Sequence, residues 1–79
     1  MEYDKEKVDD MTLALLYLTT FEDTYSLRAW KSFDWDTMNR LYDKGLINNP
    51  VGKAKSVAFT ETGANLSEEL FKKYFVADK

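Results

Sequence analysis

The chain has no cysteine, no histidine, one proline and three glycines among its 79 residues. Without cysteine there is neither a disulfide framework nor a thiolate metal site, and without histidine the usual general base and the commonest metal ligand are missing. The serines Ser26, Ser32, Ser56 and Ser67 therefore have no imidazole to activate them, and no glycine-rich phosphate loop or metal-ligand spacing occurs. The neighbouring acids Asp9 and Asp10, Glu22 and Asp23, and Glu68 and Glu69 do not make up the loss. Adjacent residues on a helix point about 100° apart, so they do not converge as an acid/base pair and are expected to be solvated. The chain is thus not expected to be an enzyme or to hold a cofactor. A long apolar run is also lacking, and the opening Met1–Asp10 is charged, so neither a signal peptide nor a membrane span is expected. The default that follows is a cytoplasmic protein with no membrane partner, folded as one domain over residues 1–79.

Aromatic residues are abundant at 15%. A chain this short encloses too little interior to bury so many rings, which places some of them at an interface. The net charge of −3 disfavours nucleic acid, yet it is unevenly spread. Residues 1–27 are strongly acidic, whereas residues 28–55 carry Arg28, Lys31, Arg40, Lys44, Lys53 and Lys55 against only Asp34, Asp36 and Asp43.

The most informative stretch is Leu41–Gly63, LYDKGLINNPVGKAKSVAFTETG. Gly45 after a helical run fits a left-handed helix close, with Leu46 and Leu41 as its apolar pair. Leu46 and Ile47 then leave the helix, and Asn48, Asn49, Pro50 and Gly52 form a turn cluster. Ala54–Thr60 alternates as a strand with Val57 and Phe59 on one face, and Thr60 caps a helix over Glu61–Phe75. Upstream, Asp4 caps a first helix to Tyr17 or Leu18, in which Val8, Met11, Leu15 and Leu18 recur at spacings of three and four. Apolar on several sides, that helix is either deeply buried or shared in a dimer. Thr19–Phe21 suits a short strand. Asp23 or Thr24 is read as the start of a short helix to Lys31, with Leu27 and Trp30 facing inward. Asp34 caps the next helix, Trp35–Lys44, with Trp35, Met38, Leu41 and Tyr42 on its buried side. Two short helices across a tight turn read as a helix-turn-helix.

The run RAWKSFDWDTMNRLYDKGLINNPVGKAKSVAFTETG resembles a bacterial family of small domains without an assigned function, within the broader winged-helix class, in which "GLI" leaves the recognition helix and "TETG" opens the next. The resemblance implies an α+β winged helix-turn-helix fold, mostly helical with a two- or three-stranded wing hairpin, in the order helix, an optional strand, helix, helix, strand, strand, helix. It supplies no activity and no site residues. Winged helices include DNA-binding regulators and modules that bind only proteins.

Two function classes follow. For a DNA-associated regulator, the helix after Asp34 would enter the major groove with Thr37, Asn39, Arg40 and Lys44, Arg40 matching guanine and Asn39 adenine. Arg28, Lys31, Lys53 and Lys55 would neutralise phosphates. Asp34, Asp36 and Asp43 oppose this, and the bland alternative is a set of caps and a solvated face. For a homodimeric protein-interaction module, the seam would use Leu16, Phe71, Tyr74 and Phe75, which are otherwise core. Trp30 and Trp35 are either an aromatic platform or packing at the helix-turn-helix corner. Cations gathered on one face would favour DNA, and their dispersal a protein partner.

Overall fold

Each helix begins where an oxygen-bearing side chain meets the bare N–H groups of a first turn. Asp4 accepts from Lys7 N at 3.1 Å, Asp34 from Thr37 N at 3.1 Å, and Thr60 from Gly63 N at 3.0 Å. The computed structural model describes residues 1–22, 27–31, 33–52 and 55–77. Its elements are α1 (Lys5–Leu16), continued by a 3-10 turn over Tyr17–Thr19, β1 (Thr20–Glu22), β2 (Leu27–Trp30), α2 (Trp35–Asp43), β3 (Ser56–Ala58) and α3 (Glu61–Phe75). The result is an α+β fold of three helices and one antiparallel sheet in the order β1-β2-β3.

The α2 exit follows its sequence signature. Gly45 has φ +73°, Gly45 N donates to Tyr42 O at 2.9 Å, and Leu46 N donates to Leu41 O at 3.0 Å. Leu41 and Leu46 are both buried, as the apolar contact across such a close requires.

Three expectations are corrected. The helix expected to end at Lys31 is instead a strand over Leu27–Trp30, the positions 23–26 and 32 lying outside the described residues. Leu27 and Trp30 are three apart, which suits a helix, but Ala29 is the fully buried residue and Trp30 is 50% exposed. Alternation across the sheet has overridden the helical spacing, because β2 is claimed on both sides: Thr20–Glu22 pairs with it in a hairpin and Ser56–Ala58 on its other edge. Among the described residues, a strand and not a helix stands before α2 where the helix-turn-helix was expected. The expected wing shrinks likewise. Ile47 meets Phe59 in a single antiparallel bridge, and the strand partner of β3 is β2. On α2, Met38 and Leu41 are buried as expected, whereas Trp35 and Tyr42 are 59% and 43% exposed.

The structure distinguishes the two apolar sides of α1: Asp9, Thr12, Leu13, Ala14 and Leu16 are buried, whereas Val8, Met11 and Leu15 are half-buried and Leu18 is exposed. Leu13 and Leu16 join Met38, Leu41, Ile47 and Val57 in the core. α3 lies alongside α1: Ser67 Oγ donates to Leu13 O at 2.7 Å, and one turn further on Phe71 stacks on Tyr17 with ring centroids 5.0 Å apart. Contacts that advance four residues on both helices mean that α1 and α3 run in the same direction. Small residues on that face of α3 allow the approach, Ser67 against α1 and Gly63 against the Leu46 backbone.

Candidate functional site

The cations of α2 and its C-cap are not left free as a reading helix requires, although Asp36 and Asp43 face solvent. Arg40 and Lys44, one turn apart, both reach back to Asp9 on α1, which is 1% exposed. Arg40 Nε donates to Asp9 Oδ1 at 2.8 Å and Oδ2 at 3.1 Å, and Arg40 Nη2 lies 2.8 Å from Oδ1. Lys44 Nζ donates to Asp9 Oδ2 and to Glu6 Oε2, each at 2.8 Å. Two acids of α1 thereby meet two bases of α2. Burial pushes the Asp9 carboxyl up and is its largest single influence, but the hydrogen bonds and charges of Arg40 and Lys44 together hold it below the ordinary carboxylate value. The hydrogen bond to Asp9 raises Arg40. Burial lowers Lys44, but Asp9 and Glu6 outweigh it and hold the ammonium above its usual value.

Thr37 is buried as well. Its hydroxyl donates to Asp34 Oδ2 at 2.9 Å and accepts from Arg40 Nη2 at 3.1 Å. Of the four residues expected to enter a DNA groove, Asn39 is exposed, Thr37 is inside, and Arg40 and Lys44 are bound to α1 carboxylates. Sequence reasoning took Asp9 for a solvated acid. The signal was its spacing, since Asp9, Leu13 and Leu16 share one helix face, and an acid on a buried face needs cationic partners.

The remaining cations of the expected set that the structure describes lie along the pairing of β2 with β3, where Lys31 N donates to Lys55 O at 3.0 Å. Arg28, on the outer face of β2, donates through Nε to Ser56 Oγ at 2.8 Å and through Nη2 to Ser56 O at 2.9 Å. Lys31 Nζ donates to the Pro50 carbonyl and sits 5.8 Å from the centre of the Trp35 ring. Lys55 is exposed, and Lys53 lies outside the described residues.

Apolar groups, by contrast, lie open. Leu16, expected at a dimer seam, is wholly buried in its own chain and offers a partner nothing. Phe71 is half-buried between Tyr17 and Phe75, the latter 5.6 Å away. Tyr74 and Phe75 are 42% and 44% exposed, and Leu18 is 65% exposed. Along α1, Val8, Met11 and Leu15 are half-buried and border a shallow groove of about 320 Å³ with Asp4, Lys7 and Thr12. On the sheet, Trp30 stacks on Phe21 at 5.2 Å and stays half-exposed. The tryptophans thus do not pack a corner. Among the described residues no three acidic side chains converge as metal ligands would, and no helix is long and apolar enough to cross a membrane.

These features belong to a chain with a close bacterial likeness. It is 49% identical over 75 residues to the uncharacterised protein y4hR of Sinorhizobium fredii, covering 95% of this chain and 97% of that relative. No solved structure matches it. A family model for a domain of unknown function, DUF6429, matches residues 4–77, and the chain belongs to that family.

Proposed function

We propose that this domain works by protein–protein association, as a homodimer, and that it does not read DNA. The observation that carries the reading is the inward commitment of Arg40 and Lys44. A groove-reading helix needs those donors free for bases and phosphates, and here they neutralise Asp9 and Glu6. Freeing them would leave the carboxylate of Asp9 buried without a partner. The winged-helix regulator suggested by the sequence also needs a helix-turn-helix, and β2 occupies the place of its first helix. Uncovered apolar surface on α1 and at the end of α3 supports association instead. The reading includes neither catalysis nor a cofactor.

Two measurements on the purified chain test this. Sedimentation equilibrium is expected to give a reversible dimer. Fluorescence anisotropy of a labelled random duplex, started at about 50 mM salt, where phosphate contacts are strongest, is expected to show no saturable binding. Duplex binding that weakens with salt and is lost in Arg28→Ala with Lys55→Ala would restore the regulator reading.

A further inference from the structure

We infer that the half-covered stripe of α1 is the seam of that homodimer, covered by α1 of a second copy lying antiparallel about a two-fold axis. The inference rests on the homodimer reading and gives it an address. Val8, Met11, Leu15 and Leu18 are separated by three, four and three residues. At 100° per residue they fall within about a quarter of the helix circumference. That alternation is the seam by which one helix accepts the side chains of another. It lies on the far side of α1 from Leu13 and Leu16 and is only partly covered: Val8, Met11 and Leu15 are half-buried, Leu18 is 65% exposed, and among the described residues the groove is bordered by α1 and its cap Asp4 alone.

Charge selects the direction. Asp4 and Lys7 border the N-terminal end of the groove. A parallel pair would set Asp4 against Asp4 and Lys7 against Lys7 of the second copy, like charges at a contact that excludes water. An antiparallel pair separates them by the length of the helix. It also opposes Val8 to Leu18 and Met11 to Leu15 of the second copy, so every position of the stripe meets an apolar one.

Area points the same way. Four half-covered side chains remove on the order of 300 Å² per copy, short of the roughly 800 Å² per partner of a stable interface. The ends supply the difference in the antiparallel arrangement. Beyond the N-terminus of α1, Met1 is fully exposed and Tyr3 53% exposed, and near its C-terminus, where Tyr17 meets Phe71 of α3, Phe75 and the C-cap Val76 are 44% and 57% exposed. Two-fold symmetry lays the first group of each copy against the second group of the other, twice over.

The absence of cysteine makes the test clean. In the double variant Val8→Cys with Leu18→Cys, the two thiols of one chain stand about 15 Å apart along the helix and cannot pair internally. Mild oxidation is expected to give a covalent dimer from the double variant, and none from Val8→Cys or Leu18→Cys alone. Met11→Glu, with its helical circular dichroism retained, is expected to raise the dimer Kd at least about a hundredfold, since it puts a charge at the centre of the seam twice. Cross-linking by Val8→Cys alone would overturn the antiparallel arrangement. A wild-type dimer that neither cross-links in the double variant nor weakens with Met11→Glu would overturn the α1 seam while leaving the homodimer reading standing. A wild-type chain that stays monomeric at millimolar concentration would remove both.

Discussion

A Cβ built on Gly63 would lie 1.7 Å from the carbonyl oxygen of Leu46, an atom of the backbone that no rotamer change can move. Gly63→Ala must push α3 off the α2 exit, at roughly 3 kcal/mol for a forced overpacking of this kind, and a fall in the urea midpoint without a change of slope would show it. Asp9 is a different sort of constraint, because its cost lies in what it leaves behind. Asp9→Asn keeps the shape but takes the anion away from Arg40 and Lys44, and is expected to cost roughly 1–3 kcal/mol at neutral pH. The folded-state pKa of Asp9 is depressed. Its contribution is therefore complete above the ordinary carboxylate value near pH 4 and is lost as pH falls through the lower folded value. Stability curves of wild type and Asp9→Asn, measured by urea titration down to about pH 2, are expected to converge at the acid end and to separate as pH rises.

The elements differ in how far neighbours in sequence determine them. Thr60 shows the local kind: its hydroxyl accepts from Gly63 N and donates to Gly45 O at 2.7 Å, so one side chain starts α3 and ties it to the end of α2. Thr60→Ala is expected to cost about 1–2 kcal/mol in chemical denaturation, and Thr60→Ser to recover most of it. Such caps, the Gly45 close and the bounds of α3 were legible in the sequence because the partners of each group lie within six residues. The strand β2 was not. Four residues satisfy the helical and the strand period equally well, and what decides between them is pairing with Ser56–Ala58, more than two dozen residues away. Which face of α1 turns inward stayed open for a related reason. Both of its sides are apolar, and the side that turns inward is the one whose acid, Asp9, finds Arg40 and Lys44, 31 and 35 residues later. The pairing of Arg40 and Lys44 was hidden from the sequence in the same way, since the carboxylates that hold them belong to α1.

For the molecule as a whole, Asp9 and Glu6 of the acidic half pair with Arg40 and Lys44 of the basic half across the α1–α2 contact, and the surface proposed for a partner is apolar. Association through such a surface is screened little by salt. The dimer Kd from sedimentation equilibrium is expected to stay within about threefold between roughly 50 mM and 500 mM sodium chloride and to tighten in sulfate. The parallel course of α1 and α3 bears on kinetics as well. Helices that run in the same direction cannot be joined by a short turn, so the sheet and α2 are threaded between them, and the bond from Ser67 to Leu13 closes a loop of 54 residues. Loop closure of that length is entropically costly and slow compared with forming the β1–β2 hairpin. α1 therefore leaves the ribosome well before the helix that seals it, with its inner and outer apolar faces both bare, and a second nascent copy can meet the outer face before the first chain has finished folding.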